Sequence, residues 1–227
     1  MFNRGKREEP VFIEELRAAG NTVEEAGPDG KQLGFTALGG HYAGSVDAKI
    51  DTPAGLRYVG ELKTHSRASF NALVKQGLEQ SKPVHYAQIQ VYMYEMGINH
   101  ALYQAVCKDT DRIHLVAVPV DFDFGLECRE KADFIITAEA PPARVSVDPA
   151  FYLCKQCHFS KQCHRAAPMV KSCRTCSDSY ADTIKGGWHC ARHETPLDHA
   201  AQLAACGDYS QIGSGGGGFG HLELTPV

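Results

Sequence analysis

Three residues in the first half of the chain have the types and spacing for phosphodiester chemistry: Asp47, Glu61 and Lys63. Glu61 and Lys63 are two apart in a strand-like stretch, Leu56 to Thr64, so their side chains leave the same face, about 7 Å apart along the strand. Asp47 falls in an earlier strand-like stretch, His41 to Asp51, and Thr52-Pro53-Ala54-Gly55 between the two reads as a hairpin turn. Pairing of the two arms would bring Asp47 toward Glu61. Two carboxylates from adjacent strands suit Mg2+ or Mn2+, hard cations that take oxygen ligands. A lysine beside them can orient or deprotonate an attacking water, or neutralise charge that develops on a phosphate. Asp followed by Glu-x-Lys is therefore the smallest set for metal-assisted phosphodiester hydrolysis. The same residues also fit a plainer role, a solvated charged strand face and an aspartate near a turn.

The segment His85-Tyr86-Ala87-Gln88-Ile89-Gln90-Val91-Tyr92-Met93 carries a second set. His85, Gln88 and Tyr92 are spaced i, i+3, i+7 and line one helix face, while Ile89, Met93 and Met96 line an apolar one. That suits a helix with its back in the core and its front on a cleft. The competing role puts Tyr92 in the core and leaves Gln88 merely exposed.

Seven of the nine cysteines fall between Cys154 and Cys206, and only Cys107 and Cys128 precede them. Cys154-x-x-Cys157 and Cys173-x-x-Cys176 are short knuckles that let two thiolates reach one ion, and tetrahedral Zn2+ needs two more ligands from nearby. The spacing suggests two structural sites. The first takes Cys154, Cys157 and Cys163 with His164 or His158; the second takes Cys173, Cys176, Cys190 and Cys206, with His193 as an alternative last ligand. Closed shells of this kind leave no position for a reacting water, so these metals would be structural.

The elements that must position these residues follow from punctuation and periodicity. Val11 to Ala19 reads as a helix with Phe12, Leu16 and Ala19 on one face and Gly20 as its stop, and Pro28-Asp29-Gly30 as a turn. Ser66 can cap a helix that covers Phe70, Leu73, Val74 and Leu78, and Pro83 starts the next, which runs to about Gly97. Ala101 to Cys107 and Ile113 to Val118 read as strands linked by Lys108 to Asp111, with a last helix from Phe122 to Thr137. The order is helix, three-strand meander, helices, two strands, helix: an α/β domain over about 1–145. The prolines from Pro141-Pro142 to Pro149 read as a linker, and 150–227 as a small metal-held module with a flexible glycine-rich stretch at 213–220.

The composition of the 227-residue chain is globular, 43% hydrophobic and 22% charged, which excludes disorder, collagen or coiled coil as its main state. No apolar run reaches the roughly 18 residues of a membrane helix, and the first residues do not read as a signal peptide, so a cytoplasmic protein is expected. In a reducing compartment such a cysteine density speaks for metal rather than disulfides. A net charge of −4 excludes a wholesale basic nucleic-acid binder, so positive charge would have to be concentrated. Arg4, Lys6 and Arg7, then Arg67, Lys75 and Lys82, and Lys155, Lys161, Arg165 and Lys171 among the cysteines are candidates for phosphate contacts.

Taken in order, Asp47, Glu61-Leu62-Lys63 and Gln88-x-x-x-Tyr92 resemble the PD-(D/E)XK nuclease superfamily, and within it the RecB-like and lambda-exonuclease-like branch, including phage exonucleases with a cysteine-rich tail. The resemblance spans roughly residues 10 to 120. It implies a restriction-endonuclease-like core, a mixed central sheet flanked by helices. It also implies Mg2+ or Mn2+ held by Asp47, Glu61 and the Leu62 carbonyl, with Lys63 positioning water. Gln88 and Tyr92 would organise the site or touch the DNA backbone, and a further ligand would come from His41, Glu14 or Glu15. Tyr42-Ala43-Gly44 stands where relatives often have an aspartate, so the metal role goes to Asp47, with Asp51 as the fallback. Cys154-x-x-Cys157-x5-Cys163 also resembles part of the 4Fe–4S motif of RecB-like nucleases, which makes a cluster the second choice after zinc. The function expected is a DNA exonuclease of phage recombination or DNA processing, with an annealing or recombination protein as partner. The competing functions are an inactive zinc-stabilised DNA- or protein-binding module and an endonuclease of the same fold.

Overall fold

A computed structural model describes residues 2–139, 143–165 and 167–212, with the backbone alone for residues 2–6. The chain groups into two compact units, the first within 1–37 and 42–131, the second within 38–41 and 132–227.

In the first unit, α1 (Phe2–Ala18) precedes β1 (Thr22–Glu24), β2 (Gly34–Ala37), β3 (Tyr42–Ser45), β4 (Ala48–Asp51) and β5 (Arg57–His65). Then come α2 (Arg67–Ser81), α3 (Pro83–Met96), β6 (His100–Cys107), β7 (Ile113–Pro119) and α4 (Phe122–Thr137). The main sheet has the order β1-β4-β5-β6-β7 and is mixed: β5 and β6 run parallel, and the other neighbours are antiparallel. The parallel pair needs a crossover, and α2 with α3 supply it. This is the α/β class expected, a mixed central sheet flanked by helices.

Both sheet faces are covered. On one, Phe12, Ile13 and Leu16 of α1 pack on Val23, Ala48, Ile50, Leu62 and Val106. On the other, Phe70, Leu73 and Leu78 of α2 and Ile89, Tyr92 and Met93 of α3 pack on Val46, Val59, Tyr103 and Ala105. Each Val, Leu, Ile, Phe or Met among them contributes about 1.5–3 kcal/mol of burial. β5 is central, so Val59 to Leu62 are buried without interruption, as expected of a strand covered on both faces.

The single strand expected over His41 to Asp51 is two strands that serve different sheets. β3 pairs with β2 in a separate two-stranded sheet, and β4 pairs with β1 and β5. The chain leaves one sheet for the other at Val46-Asp47, and Asp47 sits at that break. β1 is a short strand that the sequence pattern did not announce, whereas β2 begins at Gly34, where the strand-like pattern of the expected meander begins. The first helix begins earlier than Val11 and runs through Pro10. α2 is broken at Gly77, whose φ of 80° is a left-handed value glycine tolerates, and Val74 is 45% exposed rather than on the core face.

The second unit contains α5 (Tyr152–Gln156), α6 (Ser160–Arg165), a 3-10 turn at Cys173–Thr175 and a three-stranded antiparallel sheet. Its strands are β8 (Ser179–Ala181), β9 (Trp188–Cys190) and β10 (Thr195–Leu197), followed by α7 (His199–Leu203). The two units part within α4, not in the proline-rich stretch, of which Pro141 and Pro142 lie outside the described residues. The glycine-rich stretch 213–220 also lies outside them. Among the described residues no helix is long and apolar enough to cross a membrane.

Candidate functional site

Glu61, Lys63 and His65 alternate along β5 and share the face covered by α2 and α3. The β4–β5 ladder ends at Ala48 opposite Gly60, so the next inward amide on that side of β5, that of Leu62, has no strand partner. Asp47 takes the place of the missing strand: its Oδ2 accepts from the Leu62 N–H at 2.8 Å. The Leu62 carbonyl leaves the strand on the same side as its N–H, toward Asp47. The Leu62 side chain points the other way, into the α1 core.

Lys63 Nζ lies between the two carboxylates. It contacts Glu61 Oε1 and stands 3.9 Å from Asp47 Oδ2. The Glu61 side chain is only 1% exposed, while those of Lys63 and Asp47 are 31% and 21% exposed, so the group opens at the Lys63–Asp47 side. Burial, and after it the Asp47 charge, push the Glu61 carboxyl up to about 7 despite the lysine. Burial opposes the charged form of Lys63, but the carboxylates of Glu61 and Asp47 outweigh it and hold the ammonium above its ordinary range. One lysine thus faces two carboxylates, one of them buried. Two carboxylates and a carbonyl oxygen fit a hard divalent cation, which would relieve that crowding.

A pH dependence follows from Glu61. Its pKa rises on folding from 4.5 to about 7, so the folded chain holds a proton that the unfolded chain has released. The resulting stability is complete below the ordinary carboxylate value and is lost as pH rises through about 7. Denaturant unfolding in EDTA should therefore show a loss of up to about 3 kcal/mol across that window. Glu61→Gln should remove the loss; an unchanged slope in that variant would refute the assignment.

Gln88 and Tyr92 lie one turn apart on α3, and Gln88 Nε2 donates to the Tyr92 hydroxyl at 2.7 Å. The Tyr92 ring is buried in the core, and its hydroxyl is held above its ordinary value by burial, against the Gln88 hydrogen bond, with Glu61, Lys63 and Asp47 also felt. The stripe read from the sequence therefore has both characters: a core ring with its polar end at the carboxylates. Gly44 makes room for that ring. A Cβ there would lie 2.6 Å from Tyr92 Cε1 and 2.7 Å from Phe35 Cε1. Gly44→Ala should cost about 1–3 kcal/mol by overpacking. Thermal unfolding checks this, and an unchanged midpoint would contradict it.

Further residues join the group through tertiary structure. The β5–β6 register sets Tyr103 opposite Glu61, and the Tyr103 hydroxyl meets His65 Nε2 at 2.9 Å and His85 Nδ1 at 2.7 Å. His65 Nδ1 meets Ser69 Oγ at 3.2 Å. Burial, then His85 and the lysines Lys82, Lys108 and Lys63, push His65 down to about 4; burial, then Lys63 and Lys82, also lower His85. Glu9 of α1 adds a negative charge that is felt at Glu61. It stands one turn before the buried Phe12 and Ile13, a spacing that could have singled it out. Glu14 and Glu15, the residues chosen from that helix, are exposed on its other side. His41 belongs to the second unit, where its Nε2 donates to the Gly187 carbonyl at 3.0 Å and its ring stands edge-on to Trp188. Asp51 is held by a two-pronged ion pair with Arg57, both bonds 2.7 Å, its direct partner at the far end of the β4–β5 ladder.

In the second unit, Cys173, Cys176, Cys190 and Cys206 line one cavity, together with His193 and Asp208. The 3-10 turn, in which the Cys176 N–H donates to the Cys173 carbonyl at 3.1 Å, brings the first two thiols together. β9 delivers Cys190. Burial pushes the Cys173 thiol up, and the neighbouring Cys176, Cys206 and Cys190 add to it. Cys206 Sγ lies 3.6 Å from His193 Nε2, and ligand atoms of His193, Cys206 and Asp208 all lie within 4.8 Å of one another. Four soft donors lining one cavity with an imidazole alongside fit Zn2+; the ligand atoms that lie close together there are those of His193, Cys206 and Asp208. The first cysteine set is less gathered: Cys154 is buried on α5, Cys157 is exposed and Cys163 is half-buried on α6. Among the described residues neither cysteine set by itself brings three ligand atoms within 4.8 Å of one another. His164 Nε2, however, is buried without a hydrogen-bond partner, as a ligand atom would be.

No family model matches the sequence, and no curated protein matches it. Among solved structures, an alkaline exonuclease from Laribacter hongkongensis (LHK-Exo) superposes with a TM-score of 0.47 and 18% identity, over 58% of this chain and 64% of that one. LHK-Exo in complex with dAMP gives a TM-score of 0.37 and 16% identity, over 59% of this chain and 70% of that one. The structure of SSO0001 gives a TM-score of 0.42 and 17% identity, over 72% of this chain and 70% of that one. The chain thus spans 64% of the alkaline exonuclease it resembles.

Proposed function

We propose that the chain is a divalent-metal-dependent deoxyribonuclease that hydrolyses phosphodiester bonds, acting as an exonuclease on linear DNA ends in phage recombination or DNA processing. The observation that carries this reading is the convergence of Asp47, Glu61 and the Leu62 backbone around the Lys63 ammonium on one sheet face. Asp47, Glu61 and the Leu62 carbonyl would hold Mg2+ or Mn2+, which supplies Lewis-acid polarisation of a phosphate and a lowered water pKa. Lys63 stays protonated, orients the attacking water and neutralises charge on the transferring phosphoryl oxygens. The Leu62 N–H holds Asp47 in place, and Gln88 fixes the Tyr92 hydroxyl at the edge of the group. Lys82 and Lys108 add positive charge that is felt at His65 and would help position the backbone of DNA without reading its sequence. Zinc in the cysteine-lined cavity would hold the second unit together. An annealing or recombination protein is the partner such an exonuclease would feed.

The test is incubation with end-labelled linear DNA and closed circular DNA, with Mg2+ and with EDTA. Loss of the linear form alone, and only with the cation, is the expected result. Cutting of the circle would make the chain an endonuclease, and cleavage of neither form would leave a binding module.

A further inference from the structure

The polar chain that runs from Ser69 through His65 and Tyr103 to His85 has a property that its members alone do not have. The Tyr103 hydroxyl has one proton and two imidazole partners, so it donates to one ring and accepts from the other. Tyr103 is fully buried, and burial holds its hydroxyl protonated. Both histidines are pushed toward the neutral form by burial and by nearby lysines, so each ring carries one N–H. Three links between four groups, with one mobile proton on each group, can run in only two directions. In one, Ser69 donates to His65 Nδ1, His65 Nε2–H to Tyr103, and Tyr103 to His85 Nδ1, which leaves a hydrogen on His85 Nε2. In the other every donor and acceptor is exchanged, and His85 Nε2 bears a lone pair.

Ser69 and His85 are the two half-buried ends of this run, and His85 Nε2 has no protein partner among the described residues. His85 lies on the α3 stripe with Gln88 and Tyr92, the stripe whose polar end is at the carboxylates. A phosphate oxygen can only accept. A phosphodiester at this face therefore selects the direction that puts the hydrogen on His85 Nε2.

We propose that His85 is a further substrate-binding residue of this site: a neutral imidazole whose Nε2–H donates to a phosphate oxygen of DNA, with Tyr103, His65 and Ser69 as the positioning residues that fix its tautomer. This rests on the nuclease reading, because the acceptor is the phosphate that reading places there. The neutral donor differs from Lys63 in kind: it adds direction to the hold on the phosphate without adding charge to a face that must also accept a cation.

The experiment has two arms on the full chain. The first reads histidine ring-nitrogen shifts by 15N NMR, without and with a short linear DNA duplex in EDTA. With DNA, His65 and His85 should both show the Nε2–H form, and Tyr103→Phe should turn His85 into a mixture of tautomers. An Nδ1–H form of His85 with DNA bound would overturn the proposal. The second arm measures kcat and KM on linear duplex with Mg2+. His85→Ala should lower kcat/KM by about 10- to 100-fold, mostly through kcat. His85→Gln, whose amide offers a donor at nearly the same reach, should recover part of the loss, and Tyr103→Phe should lose about 10-fold. Wild-type rates in His85→Ala would also overturn it. A buried polar chain with only a stability role would lower the unfolding midpoint in these variants and leave the tautomer and the kcat of the folded protein unmoved. If wild type itself cleaves nothing, the nuclease reading fails, and the phosphate donor is decided by whether duplex DNA shifts the His85 Nε2 resonance.

Discussion

Glu61→Ala is expected to lower cleavage of linear DNA by roughly 10³-fold or more, with the fold intact. The size of the effect follows from what Glu61 does in the site. Its side chain is buried at 1% exposure, and it faces Asp47 across Lys63. Its removal takes away one of two carboxylates and also one of the two counter-charges of Lys63. Asp47→Ala should be similar in rate but costlier in stability, because it also leaves the Leu62 N–H without its partner. Lys63→Ala should keep cation binding and lose about 10²- to 10³-fold in kcat, the scale of one preorganised charge at the transition state. Gln88→Ala should lose less than either, since Gln88 acts through the Tyr92 hydroxyl. The measurement is single-turnover cleavage with circular dichroism on each variant. Full activity in Glu61→Ala would remove the catalytic assignment outright.

The second large effect is expected on stripping metal from the second unit. If Zn2+ is held by Cys173, Cys176, Cys190 and Cys206, its binding free energy is mostly folding free energy, of order 10 kcal/mol in small modules. The three strands β8 to β10 are three residues each, and the described residues of this unit bury only Cys154, Cys176 and Ser172 below a tenth exposed. Such a unit has little apolar core to fall back on. A strong chelator should therefore make residues after about 150 sensitive to protease. Cys173→Ser or Cys176→Ser should each lose about one equivalent of zinc by elemental analysis, since the nearby His193 and Asp208 group with Cys206. The Asp47–Glu61 group should persist, since the main sheet carries it. A folded, protease-resistant protein with no zinc and no iron would refute the metal reading.

Local pattern was enough for the parts of the molecule whose geometry is local. The two-residue period of β5 puts Glu61 and Lys63 on one face whatever else the chain does, and the hairpin at Thr52 to Gly55 closes as its residues demand, with the Gly55 N–H donating to the Thr52 carbonyl at 2.9 Å. The helical spacing of Gln88 and Tyr92 likewise forces their contact, and the bounds of α4 were legible to the residue. The short Cys173-x-x-Cys176 turn is a local device in the same sense.

What only the tertiary structure decided is what depends on register and on which sheet a strand joins. Nothing in Val46-Asp47 announces that the chain changes sheets there, yet that break frees the Leu62 amide and gives Asp47 its partner. His41 is six residues from Asp47 in sequence, but the chain between them changes units, and its ring is engaged at Gly187. His65 shares the period of Glu61 and Lys63 and was legible as a neighbour; its bond to Tyr103, 38 residues away, was not. That contact exists because β6 returns parallel to β5 in one register, in which Ala101, Tyr103, Ala105 and Cys107 of β6 share one core with α2 and α3. Side-chain spacing along an element is dictated by covalent geometry and so can be read from order alone, whereas the pairing of distant elements is chosen by the burial they achieve together, a sum over the whole core that no single segment contains.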